Sequence, residues 1–255
     1  MKRSLCIAGA IAIALAGLIN TTVIADDGRG GDSGPNCKGL PTWGQLKTAL
    51  EAARAQGNGG FNLDMWGTLV NRDGQVCAVA FTGENRGDQW PGSRVISAQK
   101  ANTANAFSLP GLALSTANLY TAVQPGGSLF GLQESNPVDV SVAYGGNARN
   151  YGQSNDPMVG GKIGGVNVFG GGLALYGPGH VLLGAIGVSG DSSCADHNIA
   201  WRTRHGLHLD WVPAGVSGDA ARPDNIVYDQ TSGWAHPICS DTVEGIAAGL
   251  APVHP

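Results

Sequence analysis

Serine, aspartate, cysteine and histidine crowd into one stretch. Ser189-Gly190-Asp191-Ser192-Ser193-Cys194 is followed by His197, His205 and His208. An apolar run ends at Val188, and the residues after the Gly/Ser corner have helical composition. The order predicts a strand that delivers Ser189–Ser193 to the first turn of a helix. Unpaired N–H groups and the positive end of the helix dipole favour an anion such as a carboxylate there. Asp191, Ser192 or Ser193 would equally serve as the helix cap. On a regular helix Cys194, His197, Trp201, His205 and His208 fall near one stripe, because steps of three and four residues share a face. A neutral imidazole at His197 is a candidate metal ligand. His205 ends "RTRH", which reads as a solvated helix end whose positive charges suit the C-terminal dipole.

Other chemistries find less support. Gly187-Val188-Ser189-Gly190-Asp191 has Asp191 where a nucleophile elbow requires its second glycine. "GGKIGG" has Ile163 after Lys162, where a phosphate loop needs a Ser or Thr for Mg²⁺. "DDGRGGD" lacks the spaced ligands and distal glutamate of a calcium loop. The absence of Cys-x-x-Cys-His excludes a haem attached through thioethers.

The elements that must position the corner are legible around it. Lys2 and Arg3, the apolar run from Leu5 to Ile19 and the small-residue ending at Ala25 have the layout of a secretory signal sequence over residues 1–25. Its removal takes the formal net charge from −4 to −6, which argues against a nucleic-acid partner. No later run is long and apolar enough to predict a membrane span. The remaining cysteines, Cys37, Cys77, Cys194 and Cys239, are an even set, as expected of a chain exported to a periplasm or beyond. Three pairings are possible; Cys37 with Cys77 and Cys194 with Cys239 would staple the two ends. The absence of a Cys-x-x-Cys pair argues against zinc held by these residues.

Residues 26–40 read as a flexible Gly/Asp-rich arm. Pro41–Gly57 reads as a helix, with Thr42 as N-cap and Leu46, Leu50 and Ala53 on one face. Two apolar runs flank Asn71-Arg72-Asp73-Gly74, a hairpin signal. Residues 93–111 read as a second helix, and residues 112–123 as a short third one. Residues 133–162 read as an irregular insertion with few core candidates. A second hairpin follows over residues 165–190, with Gly170–Gly172 marking a bulge or a place where something lies against the backbone. The order predicts an α+β domain on an antiparallel sheet over residues 41–210. A C-terminal extension, 211–255, carries Trp211, Ile226, Val227, Tyr228 and Trp234, enough apolar area to require packing on the domain or a neighbour.

"ALEAAR", "VNRDGQVCAVAF", "AQKANTANAFSLP", "LFGL" and "FGGGLALYGPGHVLLGAIGVSGDSSCADHNIA" occur in this order. In that respect residues 42–209 resemble the GlcG/HbpS haem-binding family, also found as the C-terminal part of PduO-type proteins. The resemblance implies a profilin-like fold with a central five-stranded antiparallel sheet flanked by helices, homo-oligomers, and non-covalent binding of haem or a related tetrapyrrole. It points to an exported, non-catalytic protein holding haem or another small carboxylated ligand between the Lys100 helix and the Gly-rich corner. Arg94, Lys100 and Thr103 would then face a ligand carboxylate together with Ser189, Gly190, Asp191 and Ser192, and His197 would be the candidate iron ligand. An assembly subunit without cofactor, and an enzyme acting on a small hydroxy-acid-like substrate, are the alternatives. The insertion, the four cysteines and the extension depart from the family pattern, and the extension could cover a pocket that other members leave open.

Overall fold

The computed structural model describes residues 35–255. The expected signal sequence and most of the expected arm, residues 1–34, lie outside the described residues. The first helix, α1 (Trp43–Arg54), begins at the expected cap: Gln45 N donates to Thr42 Oγ1 while Thr42 N donates to Gln45 Oε1 at 2.8 Å. Leu46, Leu50 and Ala53 are its buried residues, and burying each leucine contributes about 2 kcal/mol. A hairpin follows, β1 (Trp66–Asn71) and β2 (Val76–Phe81). Its turn is held by Asn71 Oδ1, which accepts from the N–H groups of Asp73 and Gln75. Then come α2 (Ser93–Ala106), a single turn α3 (Val140–Ala143), the second hairpin β3 (Gly172–Gly177) and β4 (Val181–Ser189), α4 (Ser193–Gly206), and α5 (Val243–Ala248) in the extension. The expected helix over 112–123 is instead two short 3₁₀ turns, Thr116–Leu119 and Thr121–Val123.

The sheet is antiparallel throughout, in the order β2-β1-β4-β3. Four strands are present among the described residues, not the five expected. Beyond β3 the chain makes one isolated bridge, Tyr176 to Asp210. It then leaves the edge at Val212-Pro213, where proline has no N–H to continue a ladder.

Both faces of the sheet are covered. On one side Leu46 and Leu50 of α1 and Ile199, Ala200 and Trp201 of α4 pack with Leu69, Ile186 and Val188. On the other, Val95, Ala98 and Ala101 of α2 pack with Trp66, Val70, Val79 and Ala185. Neighbouring Ala185 and Ile186 serve opposite layers, as strand alternation demands. Helix α2 lies almost on the sheet backbone: a Cβ on Gly187 would stand 1.9 Å from the Ser97 carbonyl oxygen.

The insertion is more ordered by the core than its composition suggests. Ala143 and Met158, and Ile163 directly after the insertion, are buried in the α2 layer. Asp156 forms a two-pronged ion pair with Arg94, whose NH1 also donates to Ala143 O at 2.7 Å. The guanidinium stacks on Tyr151 at 3.7 Å. The extension returns over α4 through a buried ion pair between Arg204 and Asp224 at 2.5 Å. Trp201 Nε1 donates to Ala251 O.

Candidate functional site

The strand-to-helix corner is built as its sequence predicts, and its polar groups are turned inward. Ser192 is the N-cap of α4, its hydroxyl accepting from Ala195 N. The Asp191 carboxylate accepts from Phe61 N at 2.8 Å, Leu63 N at 3.0 Å and Ser192 N. It therefore ties the loop after α1 to the corner, and its oxygens are engaged. Lys100 Nζ, fully buried on α2, meets Asp196 Oδ2 at 2.7 Å and Val188 O at 3.1 Å. Asp196 Oδ1 accepts from Asp191 N at 2.9 Å. Burial pushes the Asp196 carboxyl up to about 6 and the Lys100 ammonium down, and the pairing opposes both shifts.

The Gly170–Gly172 run marks where this pair is enclosed. A Cβ on Gly171, whose φ is +119°, would lie 2.3 Å from Val188 O and 3.0 Å from Lys100 Nζ. One on Gly170 would lie 2.2 Å from Ser193 O. What lies against these glycines is the first turn of α4 and the Lys100 side chain. Thr103 closes a further link, donating to Gln99 O and accepting from Asn167 N.

His197 is 0% exposed. Its Nε2 lies 3.1 Å from Asn225 Oδ1, which also accepts from Ile226 N at 2.9 Å. Ile226 N also lies 3.1 Å from this Nε2, and Nδ1 is buried without a partner. Burial holds this imidazole down at about 3. His236 lies over the same corner: its Nδ1 meets Pro237 O at 2.8 Å and its Nε2 faces Gly170 N. Burial lowers its pKa to about 4. The disulfide Cys194–Cys239 fastens this cover to α4, while Cys37–Cys77 ties the start of the described chain to β2.

The structure thus brings Lys100, Ser189, Gly190, Asp191, Ser192 and His197 to one corner; Lys100 and His197 are fully buried, and Asp191 lines a small cavity of about 160 Å³ beside Asn58 and Leu63. Arg94 is not among them; it is committed to Asp156. Sequence reasoning missed Asp196 as the partner of Lys100. The available signal was an acid in the first turn of the helix that follows the corner.

The large open cavity lies elsewhere, between α1 and α4, with a volume of about 910 Å³. Ala49, Ala52, Trp201, Leu207 and Leu250 supply apolar wall, and Arg202, His205 and His208 line one side. Cavities of about 300–1,000 Å³ with apolar walls and a few polar groups are the usual form of a small-molecule site.

A family profile described as "Haem degrading protein HbpS-like" matches residues 42–204. The chain belongs to the HbpS-like family. Among solved structures similar to this HbpS-like chain is Klebsiella pneumoniae protein ORFY, at 24% identity over 64% of this chain and 86% of that one, with a TM-score of 0.44. A PduOC:haem complex has 24% identity, coverage of 64% and 89%, and a TM-score of 0.44. A double mutant of Streptomyces reticuli HbpS has 14% identity, coverage of 78% and 97%, and a TM-score of 0.41. No curated protein matches the chain. The match to the HbpS-like profile ends at residue 204, so the cover over the corner, from residue 211 onward, lies outside it.

Proposed function

We propose that this chain is an exported haem-binding protein and that the tetrapyrrole is held non-covalently in the groove between α1 and α4. Membership of the HbpS-like family supports the ligand class. The groove carries the placement, because it joins sufficient volume and apolar wall to imidazole and guanidinium groups. His208 is exposed, with a backbone φ of +55°, and is the imidazole available to iron. Arg202 is the cation available to a propionate. Haem would supply ligand-binding or redox chemistry at its iron; His208 and Arg202, with the apolar wall of Ala52, Trp201 and Leu250, would hold it. The two disulfides favour an oxidising compartment. No described helix is long and apolar enough to cross a membrane.

Haemin titration followed at the Soret band tests this reading. One equivalent per chain is expected, with affinity weakened at least tenfold by His208→Ala and by Ala52→Trp, which fills the groove from an exposed position. Absence of a saturable shift would refute haem binding, and a shift indifferent to both variants would refute the groove. A second reading rests on the unpartnered Nδ1 of His197: the cover lifts and the corner receives the ligand. It requires binding that strengthens when Cys194–Cys239 is reduced and that His208→Ala leaves unchanged.

A further inference from the structure

Asp210 is fully buried, yet its side chain has no arginine or lysine partner among the described residues. One carboxylate oxygen lies 2.7 Å from His205 Nδ1 at the end of α4, and the other 2.5 Å from His254 Nδ1 in the extension. A carboxylate removed from water needs a compensating positive charge. Here the groups on its two oxygens are the imidazoles of His205 and His254, side chains of the commonest metal-ligating type. We propose that His205, Asp210 and His254 form a binding site for a divalent transition-metal ion of the zinc class.

One donor atom from each of the three residues lies within 4.8 Å of the others. Two imidazole nitrogens and a carboxylate oxygen make up the three-ligand set of open zinc sites, which leave a fourth position for water. The exposure of the parts fits that division. The Asp210 side chain is 1% exposed at the base of the cluster, while His205 and His254 are 40% and 32% exposed at its rim. An ion would neutralise the buried charge and keep its outer side open to solvent.

The donors are held in place before any ion arrives. Tyr176 N donates to Leu209 O and Trp211 N to Tyr176 O, which fixes the Asp210 backbone to the edge of β3. His254 N donates to Asp210 O. The His254 ring stacks between His205, at 5.6 Å, and Trp211, at 5.2 Å. His208 meets it edge-on at 5.9 Å, a further nitrogen beside the open side. The other His/Cys group, Cys194, His236 and Cys239, differs in kind, since its sulfurs are joined in a disulfide and offer no thiolate.

The test is calorimetric titration of the chelator-treated, haem-free protein with Zn²⁺ at about pH 7.5, repeated near pH 5.5, where imidazole protonation competes. One ion per chain is expected, with micromolar or tighter affinity that falls at least ~10-fold at the lower pH. Asp210→Asn and His254→Gln should each weaken binding ~100-fold or more. His254→Gln, near the rim, decides the matter if Asp210→Asn does not fold. Absence of binding, or binding that survives His254→Gln unchanged, would overturn the proposal. Working without haem keeps this result separate from the fate of the groove.

Discussion

Acid should loosen the cover over the corner, and the size of the effect follows from two buried histidines. His197 and His236 are 0% and 1% exposed, and burial lowers their pKa values to about 3 and about 4. In the unfolded chain both would titrate near 6.5, so as pH falls through that value the unfolded state takes up protons that the folded state refuses. The stability they contribute is complete above about pH 7.5 and is lost between about 6.5 and the folded pKa values. At about pH 5 each has removed about 2 kcal/mol. Asp196 acts in the opposite sense, because its folded carboxyl titrates near 6 and gains a proton more readily than the unfolded one. That returns about 1 kcal/mol at the same pH, so the net loss is about 3 kcal/mol. Urea unfolding of the oxidised protein at about pH 7.5 and about pH 5 measures the difference, and His197→Gln should remove about 2 kcal/mol of the pH dependence. Equal stability at the two pH values in the native protein, or an NMR titration of His197 centred near 6.5 in the folded state, would refute the reasoning.

Two further perturbations read out the packing that supports the corner. Gly187→Ala would drive a methyl group against the Ser97 carbonyl; the resulting shift of α2 should destabilise the protein by about 2 kcal/mol or more in chemical denaturation. Replacing Cys194 and Cys239 together with serine opens a cross-link of sequence separation 45. It should lower stability by up to about 4 kcal/mol and raise hydrogen exchange at residues 225–240 before it affects the sheet.

Much of the framework was legible because its signals are local. Thr42 and Gln45 announce the start of α1, and Leu46 and Leu50 announce its buried face. Asn71 to Gly74 announces the first turn. Of the three cysteine pairings the sequence leaves open, the structure has the one in which each pair staples one end of the chain. What the sequence concealed are contacts between distant charges. Lys100 and Asp196 are 96 positions apart, and Arg94 and Asp156 are 62 apart. The irregular composition of the insertion hid the buried places of Ala143 and Met158, because a segment without periodicity can still be ordered by a single buried ion pair. The corner was located correctly as a strand-to-helix turn. Asp191 turns to Phe61 N and Leu63 N, while His197 meets Asn225 and Gly170 N faces His236, both from the extension, partners that no periodicity foretold. The fifth strand, implied by family resemblance, shrinks to one bridge where Pro213 follows Asp210.

The two margins of the sheet bear on how copies of this chain could meet. At β2 the insertion already occupies the outer groups of Val76, with Val76 N donating to Gly161 O and Gly160 N to Val76 O. At β3 the edge is taken by Thr116 on Gly172 N, Arg204 on Ala174 O, and Leu209 and Trp211 on Tyr176. A strand from another molecule finds these places filled, as in proteins that resist edge-to-edge aggregation. Strand addition is thereby obstructed along β3 and at the Val76 end of β2. The insertion acts as a bumper for one margin of the sheet, and the turn from α4 into the extension for the other.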